Sequence, residues 1–98
     1  MEMKIDFNKN NGNAIVSLEG RLDTLTAPEF ESFLVENYGG EGALIIDCAK
    51  LSYISSAGLR VLLVAHKKSN GNMKLTNVCE LVMEVIQMTG FADILVIE

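Results

Sequence analysis

The sequence predicts an α/β fold in which a mixed, mostly parallel sheet of four to five strands carries three to four helices mainly on one face. Three observations predict it. After an opening pair of strand-like segments, strand and helix patterns alternate to the end of the chain, which calls for parallel strands joined by right-handed crossovers. The eight glycines fall mostly between these segments and act as punctuation. The helical segments are too few to cover both faces of the sheet, so one face is left open and the N-terminal hairpin supplies edge strands.

Each element has a local reason. Met3 to Phe7 alternates weakly and Ala14 to Leu18 forms a second strand, with Asn11-Gly12 between them as a tight hairpin turn. Thr26-Ala27-Pro28-Glu29 reads as a capping box with Pro in the first turn, where its missing N–H costs nothing. The helix it opens puts Phe30, Phe33 and Leu34 on one face and stops before Gly39-Gly40. Ala43 to Ile46 is a continuous apolar run, read as a central strand covered on both faces. A polar turn follows, and Ser55-Ser56 caps a helix to about Ser69. Asn70-Gly71 turns into a strand from Met73 to Thr76. Asn77 with Glu80 caps a third helix, whose buried stripe is Val78, Leu81, Val82 and Val85 and which ends at Gly90 in the C′ position. Met83 and Met88 fill core gaps or line an apolar face. Ile94 to Ile97 closes as a last strand.

Composition narrows the function. Residues 1–98 make one domain, and 49% apolar residues supply a core. The net charge is −5 and the only adjacent basic pair is Lys67-Lys68, which argues against nucleic acid and against an anionic membrane surface. The polar N-terminus has no apolar leader, and the longest uncharged apolar stretch, Val61 to Ala65, is too short to cross a bilayer, so a cytoplasmic protein without membrane insertion is expected. Cys48 and Cys79 read as two small buried residues in a reducing compartment. One His and two distant thiols do not make a metal site, and no cofactor is expected. Ser56 is not in a G-x-S-x-G elbow, His66 lies ten residues on and on the apolar side of its helix, and no Gly-rich phosphate loop is present, so catalysis is not expected.

Two places stand out for function. The first is Leu51 to Leu63, LSYISSAGLRVLL, where a buried strand leads to a helix N-terminus at Ser55-Ser56. The unpaired N–H groups there favour a phosphate on a hydroxyl, although Ser56 also fits a simple N-cap. On this helix Gly58, Leu62, Ala65 and His66 share one side, with Arg60, Lys67 and Lys68 on the other. Ala57 and Val64 fall among those charges, giving a small apolar patch beside Ser56, rimmed by Arg60 and Lys68. The second place is Gly20-Arg21-Leu22-Asp23-Thr24, at a strand exit. Loops at the carboxyl ends of parallel strands gather at one edge, which would bring Asp23 near Ser56. There the carboxylate would position a phosphodonor metal or the hydroxyl, unless it serves only the turn.

The segments GRLDTLTAPEFE, IIDCAKLSYISSAGLRVLL, GNMKLTNV and MTGF, in that order, resemble the STAS domain of the bacterial anti-sigma-factor antagonist type along the whole chain. The resemblance implies a STAS fold and a partner switch. The unmodified protein binds an anti-sigma-factor serine kinase and frees the sigma factor, phosphorylation abolishes binding, and a serine phosphatase resets the state. The family's phosphoacceptor lies two positions before the Gly-Leu pair, which is Ser56 here, and its loop aspartate corresponds to Asp23. Well-known members have Asp directly before the acceptor. This chain has Ser55, a second, lesser candidate acceptor, and Ala57 follows the acceptor. The expected partner surface is Asp23, Thr24, Ser55, Ser56, Ala57, Arg60, Val61 and Val64 on a monomer. The alternative is a STAS subunit or scaffold of a lipid-transport or other complex, without phosphorylation.

Overall fold

A computed structural model describes residues 3–98. These form four strands, three α-helices and a short 3-10 turn. The order is β1 Lys4–Asn10, β2 Asn13–Leu22, α1 Ala27–Asn37, β3 Leu44–Ile54, α2 Ser56–Lys68, β4 Met73–Thr76, α3 Glu80–Met88 and the 3-10 turn Phe91–Asp93.

The sheet order is β1-β2-β3-β4. β1 and β2 are antiparallel, joined at Asn11-Gly12, whose φ angles of 54° and 83° are those of a two-residue hairpin turn. β2, β3 and β4 are parallel, so α1 and α2 are crossovers. Val16, Leu18, Leu44, Ile46, Met73 and Leu75 are buried on one face, beneath Phe30 and Leu34 of α1, Leu59 and Leu62 of α2, and Val82 and Ile86 of α3. Across the other face runs the row Asp6, Ser17, Asp47, Thr76, one residue per strand and none buried. The helices therefore cover one side, and the central strand is sealed on one face only. Ala43 and Ile45 are half-buried, so the apolar run there does not mark a strand covered twice.

Several local expectations change. β2 and β3 run on to Leu22 and Ile54, because the register shifts between Ser17 and Glu19 and between Gly20 and Arg21 let β3 take up extra residues without losing the pairing. The Ser52 hydroxyl donates to the Gly20 carbonyl at 2.9 Å, so the apparent polar turn is strand. The strand expected at Ile94–Ile97 does not form. A single bridge joins Leu75 to Ile97, with the Leu75 N–H donating to Val96 O at 2.8 Å and the Glu98 N–H to Leu75 O at 2.9 Å.

The capping box at Thr26 is not made, since its hydroxyl donates to Arg21 O at 2.8 Å and accepts from the Asp23 N–H at 2.9 Å. The N-cap of α3 is Cys79, not Asn77, whose side chain donates to Asp47 Oδ1 at 3.0 Å. Starting later than expected, α3 buries Val82 and Ile86 and exposes Leu81. Cys79 is likewise exposed, whereas Cys48 is buried and its thiol is pushed up to about 12, first by burial and then by the Asp47 carboxylate and Cys79. Gly90 takes the C′ position with φ 81°, and Asn70 and Gly71 close α2 with N–H groups on Lys67 O and His66 O.

Candidate functional site

The carboxyl ends of β2 and β3 leave the sheet side by side. Leu22 is the register partner of Ile54, and the Ser55 N–H donates to Leu22 O at 2.9 Å. Asp23 directly follows Leu22, and Ser56 lies one residue beyond Ser55 as α2 begins, so the fold brings these two sequence positions to one edge.

α2 starts close against this edge because residue 58 is Gly. A Cβ there would lie 2.7 Å from Leu22 Cγ, 2.9 Å from Leu22 O and 3.0 Å from Ile54 Cγ1. Ser55 is the N-cap, with extended φ and ψ of −109° and 176°. Its hydroxyl caps nothing, is shielded from solvent and has no hydrogen-bond partner among the described residues. Ser56 is the first helical residue and is exposed. The first bond of the helix is Leu59 N–H to Ser55 O, so the N–H groups of Ser56, Ala57 and Gly58 stand uncapped by any side chain at the positive end of the helix dipole.

Asp23 serves its own turn. Its Oδ1 accepts from Leu25 N–H at 3.0 Å, Thr26 N–H at 3.2 Å and the Thr26 hydroxyl at 3.3 Å, and its Oδ2 lies 3.6 Å from Arg21 Nε. Burial alone would raise the carboxyl. The N–H groups of Thr26 and Leu25, then the Thr26 hydroxyl and Arg21, outweigh it and hold the group below its ordinary value. The carboxylate is thus held to its own loop, chiefly through Oδ1. Among the described residues no group of three or more His, Cys, Asp or Glu is placed to hold a metal ion. Arg21 also stacks over Tyr53, its register partner, at 4.2 Å from the ring centroid.

Beside Ser56, α1 and α2 enclose a shallow depression of about 160 Å³, lined by Thr24, Ala27, Pro28, Glu31, Ala57, Arg60 and Val61. Ala57, Arg60, Val61 and Val64 follow one another at helical spacing on the same side of α2. Val64 is 46% exposed and Val61 only 5%, so Val61 is the buried floor of this surface and Val64 its exposed apolar contact. Lys68 does not rim Ser56: twelve residues along the helix separate them, about 18 Å. Sequence reasoning missed Leu25, which is 89% exposed in the Asp23 turn. The available signal was a large apolar residue set between two threonines.

Comparison with known proteins places this geometry. A family model described as the STAS domain matches residues 4–98. The anti-sigma-B factor antagonist of Bacillus subtilis is 32% identical over 99 residues, covering 97% of this chain and 90% of its own. BtrV of Bordetella bronchiseptica, which carries a provisional anti-sigma factor antagonist name, is 35% identical over 96 residues, covering 94% of this chain and 83% of its own. The crystal structure of an anti-sigma factor antagonist from Mycobacterium paratuberculosis superposes with a TM-score of 0.86 at 21% identity, covering 98% of this chain and 85% of that one.

Proposed function

The chain belongs to the STAS domain family, and from that premise we propose that it is an anti-sigma factor antagonist working as a phosphorylation-controlled partner switch. Its family membership and two curated relatives that carry that name support the role. In this reading the molecule is a single cytoplasmic binding domain, not an enzyme. Unmodified, it holds an anti-sigma-factor serine kinase through Thr24, Ala57, Arg60 and Val64, and so frees the sigma factor. Among the described residues no helix is long and apolar enough to cross a membrane.

The observation that carries the switch is the contrast between two adjacent serines. The Ser56 residue is exposed at the first position of α2, while the Ser55 hydroxyl is shielded. The kinase transfers the γ-phosphoryl of ATP to Ser56 Oγ, which gives up its proton as ADP leaves. The phosphate brings roughly 1.5 to 2 negative charges to the docking surface. The helix N-terminus accommodates it, so the fold stays intact while the partner meets new charge at the edge that carries Asp23, next to the depression lined by Glu31. A phosphatase removes it. A coupling of a few kcal/mol gives roughly a hundredfold switch.

Binding of two variants to the anti-sigma kinase tests this. Ser56→Ala binds as the wild type does and stays bound in the presence of ATP. Ser56→Asp loses roughly a hundredfold in affinity, in line with that coupling. Wild-type affinity in Ser56→Asp would refute the charge mechanism.

A further inference from the structure

The C-terminal part of the chain carries a surface that the Ser56 site does not use. Residues 80–98 hold four carboxylates, Glu80, Glu84, Asp93 and Glu98, and no Lys, Arg or His. They account for all but one of the five net negative charges, so the rest of the chain is close to balance. The same stretch exposes four large apolar side chains, Leu81, Met88, Ile94 and Val96, with Met88 at 86%. Leu81 and Met88 stand seven residues apart on α3, two turns along one face, while Val82 and Ile86 turn to the core. The 3-10 turn packs against α3 and Ile94 follows it, exposed, whereas Val96 lies along the β4 edge and lines a depression with Ala43, Ile45 and Lys74. Glu98 pairs with Lys74 at 3.0 Å. Glu80, Glu84 and Asp93 have no cationic partner among the described residues.

Apolar side chains among unpaired carboxylates select what can cover them. A second copy meeting through the same face would set like charges against each other. An anionic bilayer surface is repelled in the same way. We propose that this face of α3, with Ile94, is a second docking surface, and that it takes a basic amphipathic helix of a partner protein. Apolar residues of that helix, spaced one and two turns apart, cover Leu81, Met88 and Ile94, and its Lys or Arg side chains face Glu80, Glu84 and Asp93. The surface shares no residue with the Ser56 site. It stays available in both states of the switch and keeps the protein tethered while the partner at Ser56 is released.

The test is an NMR titration of the full, isotope-labelled chain with a synthetic helical peptide of Leu and Lys, about four turns long, whose leucines share one face. A second peptide of the same composition has its order scrambled so that no apolar face forms. The amide shifts on binding concentrate in residues 80–94. Affinity falls roughly tenfold or more for the scrambled peptide, for Leu81→Lys and for Met88→Lys. Met88→Gln, which adds no charge, also weakens binding, and raised salt weakens it further. Ser56→Asp binds the peptide as the wild type does, which separates this surface from the switch. Shifts centred on the α2 N-terminus, equal affinity for both peptides, or wild-type affinity in Leu81→Lys and Met88→Lys would overturn the proposal.

Discussion

Two adjacent serines and an aspartate show how much a side chain's role depends on what its neighbours leave free. Ser55 and Ser56 are the same residue type one position apart, yet one is a shielded N-cap and the other begins the helix in solvent. The family motif singled out Ser56. Only the structure shows that the Ser55 hydroxyl is shielded. Asp23 was legible as a turn residue at a strand exit. Its full engagement by Leu25, Thr26 and Arg21 was not, because the Thr26 hydroxyl abandons the cap its sequence predicts. This engagement sets a pH dependence. The folded-state value of Asp23 is depressed, so its stabilising contribution is fully present above the ordinary aspartate value of 3.8 and is lost as pH falls through the lower folded value. Denaturant unfolding measured at falling pH should show that loss in the wild type. Asp23→Asn should be less stable at neutral pH and flatter through the acid range. Parallel curves for the two proteins would remove the carboxylate from the account.

At the level of elements, α2 sets the site, and its placement rests on Gly58. An Ala there puts a methyl against Leu22 and Ile54 at less than contact distance, one of the three contacts being the Leu22 backbone carbonyl, which cannot swing aside as a side chain can. Gly58→Ala should cost about 1–3 kcal/mol in urea unfolding and lift the α2 N-terminus from the strand ends, weakening partner binding as well. Unchanged stability would mean that α2 tolerates a wider seat. Val64→Glu acts on the outer side of the same helix. Because Val64 is exposed, the change should leave stability within about 0.5 kcal/mol while lowering affinity for the anti-sigma kinase roughly tenfold or more. Unchanged affinity would take this helix face out of the interface. The elements themselves were largely readable: the Asn11-Gly12 hairpin, the Gly90 helix end and the apolar face of α1 all follow from local chemistry. The far ends of β2 and β3 were not, since bulges hide the two-residue alternation that marks a strand. The stripe of α3 was misplaced because its start lies three residues beyond Asn77, which rotates Leu81 outward.

At the scale of the whole molecule, the topology turns two distant sequence segments into one surface. Three parallel strands send their carboxyl ends to one edge, and covering a single sheet face puts α1 and α2 side by side there. That convergence followed from the strand and helix order alone. Which side chains would stay exposed did not, because exposure depends on packing that no local pattern encodes, as Val61 and Leu25 show. The charge of the molecule is divided as well: Ser56 sits in a nearly balanced body, and the negative charge is concentrated in the C-terminal part. The central claim is that phosphate at Ser56 decides which partner the protein holds. Phosphopeptide mapping across Leu51 to Arg60, on protein recovered from its own cells and separated into partner-bound and free fractions, tests it most directly. The account predicts phosphate on Ser56 in the free fraction and unmodified Ser56 in the fraction bound to the anti-sigma kinase. Phosphate at equal levels in both fractions, or none under any growth condition with a transporter or scaffold subunit bound instead, would contradict it.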